Sequence, residues 1–167
     1  MKCKYIVHNL FYEGFTMSKL SEQSDQVVNL SLDKQLCFSL YSASNAMGRA
    51  YRPLLDKLDL TYLQYIVMMV LWEHDSVSVK SLGEKVHLDS GTLTPLLKRL
   101  EAKGLVIRAR SEHDERVRVI SLSEQGVSLQ QQAESVPQAM LCQADMPLEE
   151  LQALKQGCDR LFAKLMK

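Results

Sequence analysis

The chain of 167 residues has no long apolar run, the longest being YIVMMVLW at residues 65–72. A helix that spans a bilayer needs roughly 18 apolar residues, so no transmembrane helix is expected. At the N-terminus, MKCKYIVHNLFYEGF is interrupted by His8 and Asn9, so we expect no signal peptide either. These absences predict a cytoplasmic protein, and the length fits one globular domain.

The sequence also lacks metal-binding patterns. Its four cysteines form no CxxC pair, and its four histidines show no ligand spacing with them or with each other. We therefore predict no structural zinc site, no other metal and no cofactor. In a reducing cytoplasm, disulfides are transient or sensory rather than structural.

Net charge is zero, yet the charges are unevenly distributed. Residues 78–118 carry nine Lys or Arg against six Asp or Glu, whereas residues 119–154 carry five acids and no base. A basic middle beside an acidic stretch fits a chain that presents one region to a polyanion. A solvated charged surface is the alternative interpretation.

Two helices are predicted before the basic region. The first has Asp33 as its predicted N-cap and runs to about Arg52, where Pro53 disturbs the pattern. The second opens with Thr61 and Gln64, spaced as a capping box. Because the second helix is apolar nearly all round, it is predicted to be the buried centre of the fold.

The basic region predicts two short helices and a β-hairpin. SVKSLGEKVH reads as the first helix, and Asp89 and Ser90 cap a second over TLTPLLKRLEAK, which ends at Gly104. LVIRAR and VRVISLS then alternate as two strands around the turn SEHDER. Residues 78–122 are therefore predicted to form a winged helix-turn-helix, which makes the fold mainly α with a small β-hairpin wing.

The remaining segments are predicted to hold two copies of the chain together. Ser123 caps a long helix that is kinked or broken near Pro137, and Pro147 opens the last helix. With the first helix (31–58), these helices (123–167) are rich in apolar positions, so they are expected to build a homodimer interface.

Residues 1–30 show no sustained periodicity and are expected to form a loosely held extension. Met17, followed by the polar run SKLSEQSDQ, is an alternative start of the natural chain.

The second helix of the predicted helix-turn-helix is the candidate DNA reader. Such a helix lies in the major groove with its first turns against base edges. Those turns carry Ser90, Thr92 and Thr94, whose hydroxyls can donate or accept, followed by Lys98 and Arg99 at phosphate-reaching positions. Cap and surface roles are the plain alternative for these residues.

The tip of the hairpin is the second candidate DNA contact. The Asp114 carboxylate is predicted to hold Arg116 and aim its planar cation away from the body. An arginine presented in this way can enter a minor groove, where negative potential is deepest. An ordinary solvated turn is the alternative.

The segment DSGTLTPLLKRLEAKGLVIRARSEHDERVRVISLSEQG resembles the winged helix-turn-helix of the MarR family. The Asp-x-Arg at 114–116, followed by Leu122, Ser123 and Gly126, is similar to that family's wing signature. LCFSLYSASNAMGRAYRPLLDKLDLTYLQYIVMMVLWE resembles the branch of organic hydroperoxide sensors, and the likeness extends over residues 32–145. It implies a MarR-type domain over residues 31–167 that binds a double-stranded DNA operator as a homodimer.

Cys37 lies on the first helix with Tyr41, Ser44, Gly48 and Tyr51 at +4, +7, +11 and +14, close to one face. A lone cysteine there is most often a small buried hydrophobe. Since fourteen residues span about 21 Å of helix, Tyr51 cannot reach the Cys37 thiol within the same helix. A fold-back or a second subunit would be needed to bring them together.

The resemblance implies the second route, in which Tyr51 and Tyr62 hydrogen-bond the reactive sulfur of the other chain, with Tyr41 beside the site. Hydrogen bonds to a thiolate favour the charged, nucleophilic form that attacks a peroxide. Phe38, Met47 and the tyrosine rings would accommodate the carbon tail of a hydroperoxide. Attack gives a sulfenic acid, which a second thiol can trap as a disulfide.

Resemblance to the two-cysteine subtype implies that Cys142, in the helix after the wing, is this resolving cysteine. Cys158 is a competing candidate and Cys3 a remote one.

The sequence as a whole predicts a redox-sensing repressor that organic hydroperoxides inactivate, not an enzyme. Three alternatives stay open: a MarR-type repressor released by a small phenolic or antibiotic ligand, a thiol peroxidase, and an activator. The thiol peroxidase would need a catalytic motif beyond the thiol pair, and the sequence contains none.

Overall fold

The computed structural model describes residues 30–111 and 114–166. Seven α-helices, two 3-10 helices and three short strands make up this part of the chain. The helices are α1 (Leu36–Leu55), α2 (Tyr62–Glu73), α3 (Val79–Val86), α4 (Ser90–Ala102), α5 (Glu124–Ala133), α6 (Ser135–Ala144) and α7 (Leu148–Leu165). The strands are β1 (Val77–Ser78), β2 (Val106–Arg110) and β3 (Arg118–Leu122). The expected loose extension and the start at Met17 lie outside the described residues.

The first helix differs from its predicted limits at both ends. Asp33 is not the N-cap: it lies in a separate 3-10 turn, where its carboxylate accepts a hydrogen bond from the Ser31 hydroxyl. α1 begins after Gln35, which makes no side-chain capping bond, and it continues through Pro53 to Leu55. Proline is tolerated there because it removes one backbone bond close to the end of the helix, where little of the ladder remains.

The second helix is the buried centre of the fold, as predicted. Thr61 Oγ1 accepts from the Gln64 amide at 3.3 Å and Gln64 Oε1 accepts from the Thr61 amide at 2.9 Å, which completes the capping box. Val67 and Met68 have no exposed surface. They belong to one core with side chains from α3, α4 and β3, among them Leu82, Leu100 and Ile120.

The middle of the chain is the predicted winged helix-turn-helix. Asp89 is the N-cap of α4, and Gly104 follows that helix with a φ of 70°, in the left-handed region that favours glycine. The strands form an antiparallel sheet in the order β1-β3-β2, in which the hairpin is joined by β1. Sequence patterns missed β1 because two residues are too few to show an alternation.

The helices after the wing start as predicted. Ser123 Oγ caps α5 by accepting from the Gly126 amide at 3.0 Å, and Pro147 precedes α7. The predicted kink lies at Glu134, three residues before Pro137. Proline has no N–H to bond the carbonyl one turn earlier, so the helical ladder is interrupted on its N-terminal side. Within the part of the chain that is described, no helix is both long and apolar enough to cross a membrane.

Gly126 packs so tightly against the start of β2 that no other residue fits. A β-carbon there would lie 2.1 Å from the Leu105 carbonyl oxygen, far inside van der Waals contact. We expect Gly126→Ala to lower the free energy of unfolding by about 1–3 kcal/mol, because the backbone would have to move apart. Urea unfolding of the purified protein measures this.

Gly157→Ala in α7 is the matched control. A β-carbon there meets nothing within 4 Å, and alanine favours helix over glycine by about 1 kcal/mol, so stability should not fall. A Gly126→Ala protein as stable as wild type would contradict the packing argument.

Candidate thiol site and nucleic-acid interface

The candidate sensing thiol, Cys37, lies in the first turn of α1 and is exposed. Its helical neighbours are exposed too: the side chains of Leu36 and Tyr41 are 64% and 65% accessible. Phe38 and Met47 are also exposed along this helix. A thiol in such a setting is accessible to a peroxide, and the bare apolar face around it is available to a second surface.

Two of the three predicted tyrosines come together at the other end of α1. The rings of Tyr51 on α1 and Tyr62 on α2 have centroids 4.8 Å apart. Tyr41 lies ten residues earlier on α1, about 15 Å along its axis, so it is not part of this pair. Tyr51 and Tyr62 therefore form a pair of phenols within one chain, whereas the Cys37 thiol lies at the other end of α1.

Tyr65 is a third member of this cluster that sequence reasoning missed. Its ring is buried and lies 6.0 Å from the ring of Tyr51. The signal was present: Tyr65 follows Tyr62 by three residues, which places both on one face of α2.

The thiol and the phenols belong to opposite ends of one unbroken helix. α1 continues from Leu36 to Leu55, so the fourteen residues from Cys37 to Tyr51 span about 21 Å. A tyrosine side chain cannot bridge that distance. A complete thiol–phenol site therefore needs a second copy of the chain.

Burial favours the neutral form of the Tyr51 and Tyr65 phenols. Burial raises the pKa of Tyr51 above its ordinary value of 10.0, and the neighbouring Tyr62 phenol raises it further. Burial likewise raises the pKa of Tyr65, with smaller contributions from Tyr51 and Tyr62. At neutral pH the Tyr51 and Tyr65 phenols are uncharged hydrogen-bond donors, and a donor of this kind favours a thiolate that it contacts.

The raised pKa values predict loss of stability in alkali. An unfolded chain releases its tyrosine protons at about pH 10, before the buried phenols of the folded chain do. The folded state then binds more protons, so the free energy of unfolding should fall as pH rises above about 10. Tyr51→Phe should show a shallower fall in urea unfolding at stepped pH, and an unchanged slope would refute the assignment.

The two candidate resolving cysteines lie on different helices. Cys142 is exposed on α6, where Gln138 Nε2 lies 3.8 Å from its sulfur, and Cys158 is exposed on α7. Both are free thiols, as is Cys37. Cys3 lies outside the described residues. The partner of Cys37 thus stays a prediction.

α7 carries an apolar stripe that is only partly covered within the chain: Leu154 and Leu165 are exposed, whereas the Phe162 ring lies 4.3 Å from the ring of His87. None of its eighteen residues is buried, although apolar side chains recur at helical spacing. The stripe comprises Leu151, Leu154, Cys158, Leu161, Phe162 and Leu165. A helix of this pattern is stable when its stripe is covered by another surface.

The start of α4 is fixed by Asp89. Its carboxylate accepts from the Thr92 amide and from the Thr92 hydroxyl, both at 2.9 Å. These two bonds hold the pKa of Asp89 below its ordinary value. The hydroxyl proton of Thr92 is thereby used in the cap, which leaves its oxygen as an acceptor toward a base. Ser90 and Thr94 are exposed beside it, as are Lys98 and Arg99 further along.

The wing tip is held differently from the prediction. Asp114 Oδ1 accepts from the backbone amide of Arg116 at 2.9 Å, not from its guanidinium. A carboxylate two residues before an amide closes a local turn more readily than it reaches a long side chain. The Asp114 carboxylate therefore shapes the backbone, and the Arg116 side chain is exposed. Of the turn, Glu112 and His113 lie outside the described residues.

A basic groove of about 440 Å³ lies between the beginning of α3, α4 and the wing. Four cationic side chains line it, together with Thr94: Lys80, Arg108, Arg116 and Arg118. Glu101 pairs with Arg108 at 3.3 Å, and the Arg108 Nε has no hydrogen-bond partner among the residues described. A concave surface with this charge suits a phosphate group.

Three of these cations, Lys80, Arg108 and Arg118, were not singled out from the sequence. Their local charge excess was visible, but the groove forms only when the hairpin folds back onto α3 and α4. Within the described ranges no cluster of His, Cys, Asp or Glu could hold a metal ion.

The comparisons with known proteins agree with this architecture. The family model for the transcriptional regulator SarA/Rot matches residues 49–133. The organic hydroperoxide resistance transcriptional regulator of Bacillus subtilis is 47% identical over 137 residues, which cover 82% of this chain and 93% of that protein.

Solved structures of AbfR from Staphylococcus epidermidis are also similar. Reduced AbfR bound to DNA superposes with a TM-score of 0.67 at 35% identity, covering 81% of this chain and 95% of that one. AbfR with its disulfide formed superposes with a TM-score of 0.57 at 37% identity, covering 78% and 92%. Overoxidized AbfR bound to DNA also superposes with a TM-score of 0.67, at 34% identity, so the present fold is closer to both DNA-bound forms than to the disulfide form.

Proposed function

The chain belongs to the MarR family, in its branch of organic hydroperoxide resistance regulators, and on that premise we propose a homodimeric transcriptional repressor that organic hydroperoxides inactivate. The observation that carries the redox part is the exposed Cys37 thiol, separated from the Tyr51–Tyr62 pair by the length of α1. Its inducers are organic hydroperoxides and its partner is a double-stranded DNA operator. We place its action in the cytoplasm and assign it no enzymatic activity.

The dimer supplies what one chain lacks. Residues 31–58 and 123–167 carry the apolar surfaces of α1 and α7 that one copy leaves bare. Packing these surfaces together would set the two α1 helices side by side in opposite directions. The phenols of Tyr51 and Tyr62 in one copy would then meet the Cys37 sulfur of the other, with Tyr41 beside it.

The chemistry begins with the Cys37 thiolate. Its sulfur attacks the terminal oxygen of a hydroperoxide, the S–O bond forms, and the O–O bond breaks. The alkoxide leaves with a proton as an alcohol, and the sulfur is oxidised to a sulfenic acid. The phenol of Tyr51 or Tyr62 donates to the sulfur without adding a charge.

A second thiol then traps the sulfenic acid. The Cys142 sulfur attacks the Cys37 sulfur, a disulfide forms, and the sulfenic oxygen departs as water. Bridged cysteines need Cα atoms within about 7 Å, and we expect the helices to move to bring Cys37 and Cys142 that close. That movement would turn the DNA-reading heads away from half-sites about 34 Å apart.

Replacing Cys37 by serine tests the sensing role. Serine has no redox chemistry, so Cys37→Ser should hold operator DNA after stoichiometric cumene hydroperoxide, whereas wild type releases it. Gel shift measures release, and mass spectrometry measures thiol oxidation. A Cys37→Ser protein that releases DNA like wild type would overturn the proposal.

Cys142→Ser and Cys158→Ser form the matched pair for the resolving cysteine. On non-reducing gels, Cys142→Ser should form no intersubunit bridge and Cys158→Ser should form it like wild type. The reverse pattern would reassign the trap to Cys158. Release that a thiol reductant reverses separates this mechanism from release by a bound phenolic ligand.

The DNA contacts follow from the winged helix-turn-helix, residues 78–122. α4 presents Ser90, Thr92 and Thr94 to base edges in the major groove, with Lys98 and Arg99 on phosphates. Arg116, on the turn that Asp114 closes, reaches the neighbouring minor groove. The basic groove takes a backbone phosphate between these two contacts.

The groove predicts a specific salt dependence. Lys80→Gln and Arg118→Gln should each weaken operator binding and flatten the plot of log K against log salt by about 0.9 for each phosphate that the variant no longer neutralises. Fluorescence anisotropy across a salt series measures the slope. Lys155→Gln, at an exposed i,i+4 ion pair with Asp159 on α7, should leave it unchanged. If Lys80→Gln and Arg118→Gln gave the same slope as the control Lys155→Gln, phosphate binding in the groove would be excluded.

A further inference from the structure

A continuous row of aromatic rings connects the phenol pair to the base of the wing. Tyr62 contacts Tyr51 at 4.8 Å between ring centroids, Tyr51 contacts Tyr65 at 6.0 Å, and Tyr65 meets Trp72 edge-on at 6.2 Å. The indole Nε1–H of Trp72 then donates to the Gly126 carbonyl oxygen at 2.9 Å. Gly126 lies in the first turn of α5, directly after the wing strand β3.

Most of this row stands on one face of one helix. Tyr62, Tyr65 and Trp72 are separated by three and seven residues, so they form a single stripe along α2. Val67 and Met68, on the same helix, have no exposed surface. A helix that is packed tightly in the core moves as a rigid body, so a shift of its N-terminal end also displaces its C-terminal end.

The C-terminal end of α2 is also fastened to the wing itself. Asp75 Oδ1 accepts from the backbone amide of Leu122 at 2.7 Å, and the hydroxyls of Ser76 and Ser121 lie 3.1 Å apart. β1, which follows, pairs with β3. The segment after α2 therefore hydrogen-bonds β3, the central strand of the sheet. Trp72 hydrogen-bonds the first turn of α5, which follows β3.

We propose that Trp72 is the positioning residue that transmits the state of the Tyr51–Tyr62 pair to the wing. The inference rests on the proposed function, since it takes this pair to be the donor to the Cys37 sulfur of a second copy. When that sulfur is oxidised, the phenols lose their thiolate acceptor and repack. The shift passes through Tyr65 to the indole and changes its hold on Gly126, so the wing leaves its DNA-binding position.

Trp72→Phe separates this role from a structural one. Phenylalanine keeps an aromatic ring against Tyr65 but has no N–H for Gly126. The reduced variant already lacks this hold, so it should bind operator DNA less tightly than wild type, while its Cys37 should be oxidised at the wild-type rate. The ratio of oxidised to reduced Kd should fall at least about fivefold, the lower end of ordinary allosteric coupling.

Two controls accompany it. Tyr65→Phe keeps the ring row intact and should retain the wild-type Kd ratio. Val67→Ala destabilises the same helix from a buried position outside the row and should retain it too. Measured by anisotropy on reduced and oxidised protein, a wild-type ratio in Trp72→Phe would overturn the proposal.

Trp72 is also the one tryptophan in the sequence, so its emission reports on this position alone. In wild type without DNA, cumene hydroperoxide should change the emission spectrum, and in Cys37→Ser it should not. An emission spectrum unaffected by full oxidation of wild type would overturn the relay.

The experiments distinguish failure of the Trp72 relay from failure of the Cys37 sensor. If Trp72→Phe couples like wild type while Cys37→Ser is insensitive to peroxide, the relay is wrong and the sensor stands. If Cys37→Ser still releases DNA in response to peroxide, the sensor is wrong and the relay falls with it.

Discussion

Burial of α2 constrains everything else in this molecule. Val67, Met68 and Leu71 are fully enclosed by side chains of the other elements, and each such burial stabilises the fold by about 1.5–3 kcal/mol. A helix held in this way has fixed ends. One end carries Tyr62 next to Tyr51, and the other carries Trp72 next to the wing. The core thus sets the distance between the phenol pair and the DNA-reading surface.

The second constraint is the length of α1. Because it is unbroken, the thiol and the phenols that one chain contributes are separated by about 21 Å. The apolar side chains of α1 and α7 that stay exposed in one chain show where further burial is available. Dimerisation would both bring a thiol to the phenols of the other copy and bury the exposed apolar side chains of α1 and α7. Burial within one chain already raises the pKa of Tyr51, so this donor stays neutral and adds no second negative charge near a thiolate.

Local chemistry made much of the fold predictable, whereas tertiary packing decided the rest. The capping box at Thr61, the cap at Asp89 and the glycine at position 104 each depend on a few neighbouring residues, so the sequence displays them. The helix limits near Asp33 and Pro53 were wrong because Asp33 bonds Ser31 in a separate 3-10 turn and because a proline near a helix end removes little of the hydrogen-bond ladder. Other features depend on partners far away in the chain: the two-residue β1, and the groove around Arg108 and Arg118. The Tyr51–Tyr62 pair was anticipated only through family resemblance. The roles of Tyr65 and Trp72 could not be predicted, because they depend on contacts with other helices.

The kink at Glu134 bears on how oxidation could reach the DNA-binding surface. Cys142 lies on α6, beyond the kink, whereas the wing is joined to α5, before it. An interrupted hydrogen-bond ladder is where a helix bends, so part of the movement of α6 toward a disulfide would be taken up as bending at Glu134. The start of α5 is held meanwhile by the Ser123 cap and by the Trp72–Gly126 bond. α2 therefore offers a second connection to the wing besides α6, because it touches both the phenol pair and the wing.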